Sequence, residues 1–148
     1  MSRMLITGMS GAGKSSVLHE LGERGYAVVD TDYGPWTTEH GLWDEMLMGA
    51  LLGESNEVVV SGTVSNQGTF YDRFDHVVLL SAPISVLLDR VRRRSSNPYG
   101  STVAQQEEIR ANLATVEPLL RATATCEIDA TQDLSSVVDQ LERLLRVP

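Results

Sequence analysis

Eight residues constrain this fold more than any others in the chain: Gly8-Met9-Ser10-Gly11-Ala12-Gly13-Lys14-Ser15. They fit the pattern G-x-x-x-x-G-K-[ST]. Apolar Met4-Leu5-Ile6 precedes them and reads as a strand; Ser16-Val17-Leu18-His19-Glu20-Leu21 follows and reads as a helix. Strand, glycine-rich turn and helix are the context in which this pattern cradles a polyphosphate. Its glycines let backbone N–H groups point inward, and the helix N-terminus adds partial positive charge. Lys14 is placed to reach the β- and γ-phosphates, while the Ser15 hydroxyl completes a Mg²⁺ shell. Nucleotide contact is therefore expected from Gly8, Ser10, Gly11, Ala12, Gly13, Lys14, Ser15 and Ser16.

Composition bears on this in two ways. Of the 12 basic residues, 11 are arginine, and the single lysine is Lys14. A compact ammonium fits inside a phosphate-binding turn where a planar guanidinium does not. The net charge of −8 argues against a broad grip on a nucleic acid polymer. Positive charge must then be local, at Lys14 and in Arg90, Arg92, Arg93 and Arg94. At 148 residues, with 42% hydrophobic and 22% charged, the chain reads as one globular domain over 1–148. Cys126 has no partner for a disulfide, and no apolar run approaches the roughly 20 residues of a membrane span. With a strand beginning so close to Met1, no signal peptide is expected and the location reads as cytoplasmic.

Apolar runs of strand length alternate with longer amphipathic stretches, the pattern of β-α units around a parallel sheet. Strands are expected at Arg3–Thr7, Tyr26–Val29, Glu57–Ser61, His76–Ser81 and Cys126–Asp129. Helices are expected at about Lys14–Arg24, Glu39–Leu52, Ile84–Arg94, Thr102–Ala122 and Leu134–Leu145. Thr37 or Thr38 would cap the second helix, which would bury Leu42, Met46 and Ala50. Pro118 would kink the fourth. Phe70–Phe74 reads as a short helix or turn.

In open α/β sheets, ligands bind beyond the carboxyl ends of the strands. After the second strand stand Asp30 and Asp32. One can hold Mg²⁺ through water while the other accepts a proton from an acceptor hydroxyl. After the third, Ser61-Gly62-Thr63 carries no acidic residue, so more of the magnesium duty falls on the aspartate pair. Gly62, Thr63, Asn66 and Gln67 offer neutral groups suited to a polyol or a base edge. Tyr33 and Trp36 are candidates to stack on a substrate, while Trp43 reads as core. Arg73 is the only arginine between the second and fourth strands. Arg90 and Arg94, four apart on a helix that ends in a turn-rich break, are expected to face inward and stabilise a transferring phosphoryl group. His19, His40 and His76 show no ligand spacing.

Together these residues resemble the shikimate kinase and gluconate kinase branch of the P-loop kinases, related to the nucleoside monophosphate kinases. The resemblance is specific at Gly8–Ser15, at Asp30-Thr31-Asp32 and at Arg90–Arg94, with an echo at Val116-Glu117-Pro118. It implies a three-layer P-loop fold, a five-stranded parallel sheet in the order 2-3-1-4-5, and helices on both faces. A short lid would lie at about 94–102 and an acceptor-binding region at about 31–53. By resemblance Ser15 and Asp30 lie nearer the metal, Asp32 is the base, and adenine lies near Thr131. The chain departs from shikimate kinases at Ser61-Gly62-Thr63, where they carry a glycine triplet. It also has no counterpart, between Tyr33 and Gly53, of the Phe-Arg pair that grips their substrate carboxylate.

The expected activity is transfer of the γ-phosphoryl of ATP, with Mg²⁺, to a hydroxyl of a small molecule. Lys14, Asp32, Arg90 and Arg94 would carry the chemistry, and Asp32, Tyr33, Trp36, Gly62, Thr63, Asn66, Gln67 and Arg73 would contact the acceptor. A nucleoside or nucleotide kinase is the alternative, and a nucleotide-dependent switch without an acceptor is the third. A monomer or homodimer is expected, acting on a hydroxylated small molecule or nucleoside.

Overall fold

The computed structural model describes residues 2–93 and 99–146. Its centre is a five-stranded sheet, all parallel, in the order β2-β3-β1-β4-β5. The strands are β1 (Arg3–Thr7), β2 (Val28–Asp30), β3 (Val58–Ser61), β4 (His76–Ser81) and β5 (Cys126–Asp129). The helices are α1 (Lys14–Glu23), α2 (Glu45–Glu54), α3 (Ile84–Arg93), α4 (Val103–Thr115), α5 (Glu117–Thr123) and α6 (Leu134–Arg146). A 3-10 helix, Gln67–Arg73, leads into β4. The order that the resemblance implies is the one observed.

The central strands are apolar at nearly every position because both faces of the sheet are covered. Along β1, Met4 and Ile6 join the core against α1 and α6, where Val17, Leu18, Leu21, Val138 and Leu141 are buried. Leu5 points the other way, into a second core with Val58, Val60, Trp43, Met48, Leu52 and Phe70. Parallel register aligns the strand ends: Ile6 and Asp30 each lie beside Ser61, and Ser81 lies beside Asp129. The segments that follow these strands therefore open on one edge of the sheet. Among the described residues no helix is long and apolar enough to cross a membrane.

Two expected helices come out differently. The second starts at Glu45, not Glu39, and is capped by Asp44, whose carboxylate accepts from Leu47 N at 3.1 Å. Residues 37–43 instead form a loop closed by a Thr37–Trp43 bridge. The helix buries Met48 and Leu52, while Met46 is 86% exposed and Ala50 is also exposed. In Glu-Met-Leu-Met-Gly-Ala-Leu-Leu apolar residues surround the axis, so periodicity alone does not choose the buried face. The long helix expected over Thr102–Ala122 is two helices, divided at Val116. Pro118 sits in the first turn of α5, where its missing N–H costs nothing.

Candidate functional site

The turn after β1 is held close to α3. A Cβ on Gly11 would lie 2.5 Å from the Leu87 carbonyl oxygen, so only glycine permits this approach. From the next turn of α3, half-buried Arg90 donates to the carbonyls of Gly11 and Ala12, each at 3.3 Å, and to Ala130 O at 2.5 Å. Arg90 thus ties the glycine turn to the segment after β5. Lys14 curls back over the turn, its ammonium donating to Gly8 O at 2.7 Å and Met9 O at 3.3 Å. Thr63 braces the start of the turn: its hydroxyl donates to Gly8 O at 2.7 Å and lies 2.9 Å from Thr7 Oγ1.

The aspartate pair is aimed by the residue between its members. Thr31 is 1% exposed. Its hydroxyl donates to Ser61 O at 2.8 Å and accepts from Trp43 Nε1 at 3.0 Å. A Cβ on Gly62 would collide with that hydroxyl. With Thr31 inward, Asp30 and Asp32 fall on the outer side. Asp30 Oδ2 accepts from the Ser15 hydroxyl at 2.8 Å, and Asp30 Oδ1 accepts from Asp32 N at 3.0 Å. Sequence reasoning singled out the two carboxylates and missed the threonine that orients them.

Two cavities meet at this point. The larger, about 450 Å³, runs over the glycine turn from Ser10 to Val17, past Arg90, to Ala130, Gln132, Leu134 and Val137. Tyr33, 53% exposed, forms part of its rim. The smaller, about 340 Å³, lies on the other side of Lys14, walled by Thr63, Val64, Ser65, Ile109, Asn112 and Val116. Ser10, Lys14 and Asp32 line both. An ammonium and a carboxylate at the junction of two cavities can handle charge passing from one to the other.

Of the remaining residues singled out by sequence, some lie elsewhere. Asn66 caps the Trp43 backbone, accepting from its N–H at 3.0 Å and donating to its carbonyl at 3.1 Å. Gln67, 3% exposed, is bonded to Thr7, Tyr71 and the Val64 N–H. Trp36 packs against the second core. Arg73 reaches over α2 to Gly49 O at 3.3 Å. Thr131 turns to Asp129, whose carboxyl is held below the usual range, first by the Thr131 hydroxyl and then by its N–H. Arg92 bonds Gln106 at 3.2 Å, Arg93 pairs with Asp89 at 3.1 Å, and Arg94 lies outside the described residues. The wall from Ile109 to Leu120 was not foreseen from the sequence; the Val116-Glu117-Pro118 echo was the one signal near it.

The comparisons agree with this fold. No curated protein sequence is similar enough to count as a match. Among solved structures, a shikimate kinase from Acinetobacter baumannii in complex with shikimate has a TM-score of 0.75 at 22% identity, covering 97% of this chain and 92% of that one. A deoxyadenosine kinase from M. mycoides with bound dATP reaches 0.68 at 15%, covering 99% and 100%. A gluconokinase from Sinorhizobium meliloti 1021 reaches 0.61 at 23%, covering 97% and 93%. These likenesses establish the expected fold. A family model described as AAA domain matches residues 4–112, and on that match, which spans the glycine turn, the aspartate pair and most of α4, the chain belongs to that family.

Proposed function

We propose that this protein is an ATP-dependent phosphotransferase that moves the γ-phosphoryl group to a hydroxyl of a small molecule. The observation that carries the reading is Lys14 and Asp32 at the junction of two cavities, one over the glycine turn and one beside it. A nucleotide switch needs the first cavity and has no use for the second.

In this reading the triphosphate lies on the backbone N–H groups of the turn and the N-terminus of α1. Lys14 exchanges its carbonyl partners for β- and γ-phosphate oxygens. Arg90, fixed across the turn by three carbonyls, adds positive charge to the donor side. The Ser15 hydroxyl and Asp30 carboxylate, 2.8 Å apart at the start of α1, form a hard oxygen pair suited to Mg²⁺. Magnesium ordinarily takes only one or two protein oxygens beside the phosphates. When bound there, it would neutralise charge on the β- and γ-oxygens. Asp32 orients the acceptor hydroxyl and takes its proton as the bond to phosphorus forms.

The test is Asp32→Asn. Acceptor-dependent ADP release should fall by about 10³-fold, while Mg-ATP affinity measured by calorimetry stays within about threefold. Full transfer by that variant would remove Asp32 from the mechanism.

A further inference from the structure

Ser61, the last residue of β3, is fully buried, and its hydroxyl has no hydrogen-bond partner among the described residues. Its main chain is well used: the Ser61 carbonyl accepts from Thr31 N at 3.0 Å and from the Thr31 hydroxyl at 2.8 Å. The other buried side-chain atom without a partner among the described residues is Glu117 Oε2, and that carboxylate already holds Arg121 through Oε1 at 2.7 Å. A hydroxyl buried without a bond costs free energy that an alanine in the same place would not.

The strand sets the direction of this side chain. Val58 and Val60 enter the second core and Val59 the core under α1, so Ser61 faces α1. A side chain on Gly62 would lie on the opposite face, toward the Thr31 hydroxyl and Trp43. Register places Ser61 between Ile6 of β1 and Asp30 of β2. Ile6 belongs to the core under α1, and Val28, on the same face as Asp30, packs against that core. Ser61 and Asp30 therefore stand side by side on the α1 face, one strand spacing of about 4.8 Å apart. The Asp30 carboxylate accepts from the Ser15 hydroxyl and from Asp32 N. A carboxylate has room for about four such bonds.

We infer that Ser61 is a positioning residue of the magnesium site, and this rests on the phosphotransferase reading for the nucleotide and the ion. When Asp30 serves Mg²⁺, the Ser61 hydroxyl donates to its carboxylate and fixes it, so Ser61 acts on the ion through Asp30. The free protein carries the cost of the buried hydroxyl, and loading relieves it.

Ser61→Ala tests this in the full chain, with no acceptor present. ATP affinity is measured by calorimetry in excess Mg²⁺ and again in EDTA, beside thermal unfolding without nucleotide. Without nucleotide the variant should unfold no lower than the parent, because the hydroxyl it loses had no partner. Affinity should fall about tenfold in Mg²⁺ and less than about twofold in EDTA. In an Asp30→Ala background, adding Ser61→Ala should change affinity in Mg²⁺ by less than about threefold. Four results would each overturn the inference and leave the phosphotransferase reading standing. They are unchanged affinity in Mg²⁺, an equal loss with and without Mg²⁺, a full loss that persists without Asp30, and a lower unfolding midpoint in the absence of nucleotide. A parent that binds ATP no better in Mg²⁺ than in EDTA would take the metal out of that reading and the inference with it.

Discussion

The two cavities that share Lys14 and Asp32 are built on opposite principles. Around the larger cavity, eight consecutive residues, Ser10–Val17, make up about half of the described wall. The smaller cavity is walled by residues from the glycine turn, from the segments after β2 and β3, and from the stretch between Ile109 and Leu120. A phosphate group is the same in every nucleotide, so a fixed local conformation suffices to bind it. In the proposed reading an acceptor varies, and the smaller cavity, made from residues that the fold brings together from distant parts of the chain, would hold it.

Lys14→Ala should break both sides at once, because the ammonium touches both. Transfer should fall by about 10³-fold or more, with weakened nucleotide affinity, as read by steady-state ADP release and calorimetry. Arg90→Ala acts on the donor side alone. A loss of about 10²-fold in kcat is expected, with the acceptor KM within about threefold of the parent. Equal damage to both KM values would show that the cavities are not separate. Val116→Ala is the converse: the acceptor KM should rise about tenfold while the KM for ATP stays unchanged.

The smallest effect concerns stability away from both cavities. The Glu127 carboxyl is held below its ordinary value of 4.5, first by Arg121 and then by Ser81. A carboxyl depressed in the folded state stabilises above its unfolded pKa and loses that contribution as pH falls through the folded value. Arg121→Gln should therefore cost less than about 1 kcal/mol at pH 7, because the pair is part-exposed. The gap from the parent, read by urea unfolding, should shrink as pH drops below about 4.5. A gap that widened in acid would contradict the pairing.

Much of the fold was legible because its signals are local. β1, β4 and β5 lie where apolar runs bounded by turn residues placed them, and the glycine turn announced the helix that follows. The second helix was misplaced by six residues at its start because its sequence is apolar on every face, and only Trp43, docked on Thr31, decides where the loop ends. For the same reason Asn66 and Gln67 read as open polar residues. Their partners, Trp43 and Thr7, are distant in sequence and become visible only once the sheet is assembled.

The sequence by itself determined the phosphate-binding turn, the parallel sheet and the presence of two carboxylates after β2, since each depends on neighbours within a few residues. Only the tertiary structure decided where those carboxylates point, which arginine reaches the turn, and what walls the second cavity. Those outcomes depend on contacts between segments 30 to 80 residues apart, such as Thr31 with Ser61 and Arg90 with Gly11. Periodicity shows that such residues are polar or apolar. Packing alone selects what they meet.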